Sequence, residues 1–315
     1  MSENNIVVES RTQLGGHFHI LVESPDGSTR EYEFDNLITN NGLNKIGRAV
    51  LPLRLYAGSG NTPPTFTDTQ LQALLGSSTA KSDGWPWTVV STAETATNPH
   101  YITWSYAFVF PKNTAIGIWA ELGSGWGTTD LFSRALIKDS NGTPTTITVV
   151  TDEEVTVTYS VRAYLPYIAS STTVNTITMN GVEYTLTSRP CLGQTNNQLQ
   201  YSIFGSYTTT SYDTTLESYT NVTGMGTAIN APLSGTFLAN NNGSTTVSAY
   251  INDSFYNQWT NSIPISLMNH PSISGFISSP WDYGLCEIAT MVSPPIAKTN
   301  TQTFSITSRY YWARY

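Results

Sequence analysis

The run Val155-Thr156-Val157-Thr158-Tyr159-Ser160-Val161-Arg162-Ala163 constrains the fold most. Its odd positions are apolar or aromatic and its even positions polar. Successive side chains of a strand point to opposite faces, so this run fits a half-buried β-strand. His17 to Val22 and Tyr101 to Phe110 also read as strands. Asp26-Gly27, Asn141-Gly142 and Asn180-Gly181 lie between strand-like runs. They are tight-turn dipeptides, because Asn, Asp and Gly tolerate positive φ. Helix signals are short. Thr67-Asp68 is placed to cap a segment carrying Leu71, Leu74 and Leu75 and ended by Gly76; Asn41 is placed to cap another holding Leu43, Ile46 and Val50. The expected class is all-β.

Composition agrees. Only 11% of the 315 residues are charged and 12% are aromatic, against about a quarter charged in ordinary soluble domains. Low Lys and Glu disfavours long helices, and aromatic content argues against disorder. A net charge of −8 with no basic run speaks against a nucleic-acid partner. No stretch approaches the length of a membrane span, so no membrane insertion is expected. Met1-Ser2-Glu3-Asn4-Asn5 is polar and acidic and does not read as a signal peptide. Cys191 and Cys286 are too few for a disulfide framework; they pair or stay as buried thiols.

The length allows about two domains. Leu165-Pro166-Tyr167-Ile168-Ala169-Ser170-Ser171 follows a strand and precedes a polar run, which places a boundary near residue 166. Landmarks then recur in order. Asp26-Gly27 with Glu31-Tyr32 is matched by Asn180-Gly181 with Glu183-Tyr184, and Thr39-Asn40-Asn41-Gly42-Leu43 by Thr195-Asn196-Asn197-Gln198-Leu199. Gly58-Ser59 is matched by Gly205-Ser206, Asp68–Leu71 by Asp213–Leu216, and the strand from Val155 by Phe304–Tyr315. The order implies an internal duplication. The expected plan is a polar N-terminal arm (1–16), a β-sandwich-like domain (17–166), and a second (167–315) repeating it. Each domain carries one or two short helices. Deleting the arm is expected to leave a folded protein.

Candidate chemistry is sparse. His17 and His19 share one side of a strand, an arrangement that can bind metal when repeated about an axis but more simply faces solvent. Glu121, Asp130 and Asp139 sit around turns, and Asp282 and Glu287 flank Cys286; nothing marks them as a glycosidase pair. Gly58-Ser59-Gly60 lacks the Lys and helix of a phosphate loop. The reading is of no enzyme, no metal and no cofactor. Aromatics outside a core give the better signal: Trp85, Trp87, Trp126, Trp281, Tyr283, Tyr311 and Trp312. Trp126, among glycines, is expected in a loop. Loop Trp and Tyr favour interfaces and also stack on sugar faces.

Several runs together carry a resemblance: Phe34-Asp35-Asn36-Leu37-Ile38-Thr39-Asn40-Asn41-Gly42-Leu43, the Gly-Ser-Gly loop before Asp68-Thr69-Gln70-Leu71, Glu121-Leu122-Gly123, Leu131 to Asp139, and Val155 to Tyr159. They resemble virion structural proteins of tailed bacteriophages, of the tail-fibre, collar and baseplate-associated kind. The similarity covers most of residues 18–166. It implies a non-enzymatic virion component, made in the host cytoplasm, that docks on the particle through residues 17–166 and works as a homo-oligomer or on a symmetric ring; the expected partners are other virion proteins and copies of itself, with a trimer favoured. The other readings are a host-receptor or cell-surface glycan-binding module and, less favoured, a polysaccharide-degrading enzyme.

Overall fold

A computed structural model describes residues 4–46, 52–79, 87–90, 101–164, 172–191, 216–226, 233–240, 244–278 and 287–315. The described residues are mostly strand, arranged in several sheets, and among them no barrel forms. It divides into two compact units. Among the described residues, one takes 13–90, 101–164 and 313–315, and the other takes 4–12 and 172–312.

The first unit is built from β1 (Asn4–Glu23) from Gln13 onward, β2 (Thr29–Ile38), α1 (Asn40–Ile46), β3 (Arg54–Gly58) and β4 (Leu74–Ser78). It continues with β5 (Trp87–Val90), β6 (Tyr101–Phe110), β7 (Gly117–Trp119), β8 (Glu121–Gly127), β9 (Asp130–Leu136), β10 (Ile147–Val149) and β11 (Glu154–Tyr164). One antiparallel array runs β2-β1-β11-β6-β5. A second runs β9-β8-β3-β4 and is joined to the end of β2 through Leu37 and Ile38. Val155, Val157, Tyr159 and Val161 are all buried, as their alternation requires. Tyr159 on β11 meets Phe18 on β1 at 5.0 Å and Phe132 on β9 at 6.2 Å, so the inner faces of the two arrays share a core.

The second unit contains the start of β1 together with β12 (Thr173–Met179), β13 (Val182–Cys191), β14 (Leu216–Thr220), β15 (Thr236–Asn240), β16 (Ser244–Val247), β17 (Tyr256–Ile263), β18 (His270–Ser278), β19 (Glu287–Lys298) and β20 (Phe304–Arg314). Six strands run β12-β13-β19-β18-β14-β15, and a separate row runs β16-β17-β20-β1. Their apolar sides meet in one cluster. Ile6, Val8, Ile263, Phe304 and Ile306 come from one row, and Leu186, Leu216, Phe276, Ile288 and Val292 from the other.

The expected turns form. Gly27, Gly142, Asn180 and Gly181 all have positive φ, and the last two close the β12–β13 hairpin between Met179 and Val182. The short helix also forms, but Thr39, not Asn41, caps it: its Oγ1 accepts the Gly42 N–H at 2.9 Å. The second expected helix does not form. Leu74 and Leu75 begin strand β4 and stay exposed, while Leu71 enters the core. Three apolar residues at helical spacing therefore had no common face to bury.

The N-terminal arm is also corrected. From Asn4 onward it is sheet, and Ile6, Val8, Thr12 and Leu14, all at even positions, are buried. Likewise the division near residue 166 is not a clean cut, because both chain ends contribute across it. The hairpins expected to correspond join their sheets differently. The β1–β2 hairpin pairs with β11 through its first strand, and the β12–β13 hairpin pairs with β19 through its second. Among the described residues, no helix is long and apolar enough to cross a membrane.

Candidate interaction surface

The most organised polar site lies in the first unit and holds the loop from Ser59 to Ala73. Arg134 on β9 and Glu121 on β8 are both buried. Adjacent antiparallel strands bring them together although 13 residues separate them. Arg134 donates from Nε and Nη2 to Glu121 Oε2 at 2.8 and 2.7 Å. Its Nη1 donates to Asp68 Oδ2 at 2.6 Å and its Nη2 to the Thr62 carbonyl at 3.0 Å. Glu121 Oε1 accepts the N–H groups of Gly60 and Ala73 at 3.1 and 2.9 Å.

The loop is tied to itself as well. Gln72 Oε1 accepts the N–H groups of Asn61 and Thr62 at 2.8 and 3.0 Å. Asp68 accepts the Thr65 N–H and hydroxyl at 2.9 and 2.6 Å. Burial opposes ionisation of Asp68, but the Thr65 donors and the Arg134 guanidinium outweigh it and hold the carboxyl below its ordinary range. The Gly58-Ser59-Gly60 run is explained here. A Cβ on Gly60 would overlap Gln72 Cβ and Glu121 Oε1, and one on Gly58 would sit 2.6 Å from the Ala73 carbonyl oxygen. The glycines let the backbone approach a protein carboxylate.

This clasp presents Pro63 and Phe66 to solvent; Phe66 is 52% exposed. The Phe66 carbonyl accepts the Asn40 N–H at 2.8 Å, and the Arg314 guanidinium lies 4.2 Å from its ring centroid. Arg314 Nε donates to the Ile38 carbonyl at 2.6 Å, and Arg314 also bonds Asn40. Elsewhere on the unit Leu74, Leu75, Ile116, Ile118 and Val150 are exposed apolar side chains. Ile116 immediately precedes β7 and Ile118 lies on it.

The aromatic candidates separate. Trp126 is on strand β8, not in a loop, and is half-buried. It packs against Phe132 at 5.8 Å, and Lys45 Nζ lies 4.6 Å from its ring centroid. Asp130 positions that lysine at 3.2 Å and takes the Asn41 amide at 2.6 Å. Tyr311 is half-buried, donates to Glu9 at 3.1 Å and has Arg11 5.4 Å from its ring centroid. Burial, with Glu9 adding to it, pushes its phenol upward. Trp312 is buried and stacks on Tyr250 at 5.7 Å. The backbone of Trp87 lies on β5. Trp85, Trp281 and Tyr283 lie outside the described residues, as does Cys286, while Cys191 is buried.

His17 and His19 face the carboxylates of β2: Nδ1 of His17 is 3.0 Å from Asp35, and Nε2 of His19 is 3.3 Å from Glu31. Among the described residues no group of His, Cys, Asp or Glu is arranged to hold a metal ion. Two depressions, one lined by Ser248, Ile251, Tyr256 and Gln258 and one by Met179, Tyr184, Lys298 and Phe304, contain no carboxylate. Sequence reasoning missed the Arg134 clasp. A signal existed: Arg134 and Glu121 each interrupt an apolar stretch, and charges in such positions need partners. No protein family, curated protein or solved structure matches this chain.

Proposed function

We propose that this chain is a structural component of a tailed-phage virion, associated with the tail, collar or fibre and assembling through its β-domains onto other virion proteins and copies of itself. The observation that carries this reading is the clasped loop. Buried charges are matched inside the chain, and the loop they fix presents Pro63 and Phe66 outward. A rigid apolar projection on a charge-poor frame suits a protein partner, because little ordering entropy is lost on docking. The tandem β-sandwich-like plan belongs to the same reading and rests on the two packed layers in each unit and the repeated order of sequence landmarks.

The glycan-binding alternative draws less support. Sugar stacking needs a free aromatic face, and Trp126, Tyr311 and Trp312 already engage Lys45, Arg11 and Tyr250. The non-enzymatic reading is supported by the engagement of Glu121 and Asp68 with Arg134. The test is mass spectrometry of gradient-purified tailed particles from cells expressing this gene during lysis. Co-sedimentation at fixed stoichiometry is expected. Recovery only in the soluble fraction overturns the reading.

A further inference from the structure

Exposed sheet edges invite pairing with another chain, and proteins blunt them with bulges, charge, proline or short length. Most outer strands here carry such a device. β4 has five residues and a register shift against β3 between Ala57 and Gly58. β15 has five residues and a shift against β14 between Ser218 and Tyr219. β16 and β5 have four residues each.

β12 has none of these. Its seven residues, Thr173-Val174-Asn175-Thr176-Ile177-Thr178-Met179, pair with β13 without a shift from Thr173↔Ser188 to Met179↔Val182. It contains no charge and no proline. Thr173 to Thr176 and Thr178 are exposed, and Val174 is 65% exposed. Ile177 leans on the apolar cluster of the second unit. Among the described residues, no strand pairs with its other edge.

We infer that β12 pairs antiparallel with β12 of a second copy of this chain, about a twofold axis at Thr176. The occupant follows from charge. Copies carrying −8 each repel, and a twofold axis sets residues near it against themselves, so a self-pairing edge must be neutral near its centre. β12 is neutral throughout. The axis sets Thr178 against Val174 of the partner subunit and Ile177 against Asn175 of the partner subunit. The nearest charge, Glu183, stands one strand inward beside Thr178, away from its symmetry mate. This symmetry gives dimers or other even-numbered assemblies in place of a trimer, and it holds independently of the virion reading.

The test is light scattering after size exclusion on the full chain, over a concentration series. Wild type is expected at an even number of chains. Thr176→Lys and Thr176→Glu are each expected to raise the dissociation constant about tenfold or more, because like charges then meet at the axis. An equimolar mixture of the two is expected to restore the dimer. Circular dichroism checks that each variant keeps its sheet content, and Val174→Lys repeats the test at a second exposed position. A wild type that is monomeric or trimeric overturns the inference, as do folded charge variants that keep the wild-type mass.

Discussion

Arg134 directs both Nε and Nη2 at one oxygen, Glu121 Oε2, while both side chains are almost completely shielded from water. Such a pair is tolerable only when its other polar atoms are matched. Here the second Glu121 oxygen takes two loop amides, and the remaining guanidinium donors take Asp68 and the Thr62 carbonyl. Cutting one partner therefore strands a buried charge. Arg134→Met is expected to lose about 3–5 kcal/mol of stability, read from urea unfolding. A loss under about 1 kcal/mol, the worth of a surface pair, contradicts the clasp.

Asp68 in the clasp and Glu153 outside it give the protein a pH signature. The carboxyls of Asp68 and Glu153 are held below their ordinary range. For each, burial pushes the other way, and hydrogen bonds with a nearby arginine prevail. Glu153 is held by the Val150 N–H, Ser24 and Arg30. The unfolded chain thus takes up protons first as pH falls. The stabilisation from both groups is complete above about pH 5, clear of the ordinary carboxylate range, and disappears as pH drops through their lower folded values. Asp68→Asn is expected to be less stable than wild type at pH 7, with the gap narrowing as pH falls below the ordinary carboxylate range. A gap that stays constant over that fall in pH rules this account out.

Removing the N-terminus tests the origin of the second unit's core. Ile6 is fully buried and Val8 nearly so, both among side chains of β13, β18, β19 and β20. Asn5 accepts hydrogen bonds from Ser305 and Thr307 at 3.1 Å each, and Glu9 from Arg309 and Tyr311. Ile6→Ala is expected to cost about 2–5 kcal/mol, and deletion of residues 1–12 is expected to expose the chain beyond residue 172 to limited proteolysis. A truncated form with wild-type protease resistance restores the detachable arm.

These results show which signals the sequence carries. Val155–Val161 was legible because one strand buries one face, and Asn180-Gly181 because a two-residue turn needs positive φ at both positions. The even-position pattern Ile6, Val8, Thr12, Leu14 was equally present, but the polar residues between them read as an arm. The clasp was not legible, because Asp68 and Arg134 are 66 residues apart and only the loop's path joins them. Nor does any local pattern encode that the last residues of the chain return to the first unit, where Tyr315 stacks on Tyr164 at 4.0 Å.

Glycine at position 60 offers a contrast with another turn. Gly142 has φ +77° with open space around it, so Gly142→Ala meets only backbone strain of about 1–2 kcal/mol. Gly60→Ala meets Gln72 and Glu121 directly and must displace the loop. It is expected to lose about 1–3 kcal/mol, as overpacking does, and to accelerate cleavage between residues 59 and 73. Equal protease sensitivity in the two variants counts against close packing as the reason for the glycine.

Phe66 separates stability from docking. Its ring is half in solvent, with the Arg314 guanidinium 4.2 Å from the ring centroid. An exposed cation–π contact contributes about 0.5–1 kcal/mol, so Phe66→Ala is expected to unfold within about 1 kcal/mol of wild type. The clasp stays in place, because Arg134, Glu121, Asp68 and Gln72 hold the loop through other atoms. If the loop is the docking element, the exposed ring lies at the centre of the contact, where truncation costs most. The variant is then expected to be folded and soluble, with incorporation into particles reduced at least about tenfold, a loss of about 1.4 kcal/mol. Full incorporation of Phe66→Ala would move docking away from this loop, toward the exposed Leu74, Leu75, Ile116 and Ile118.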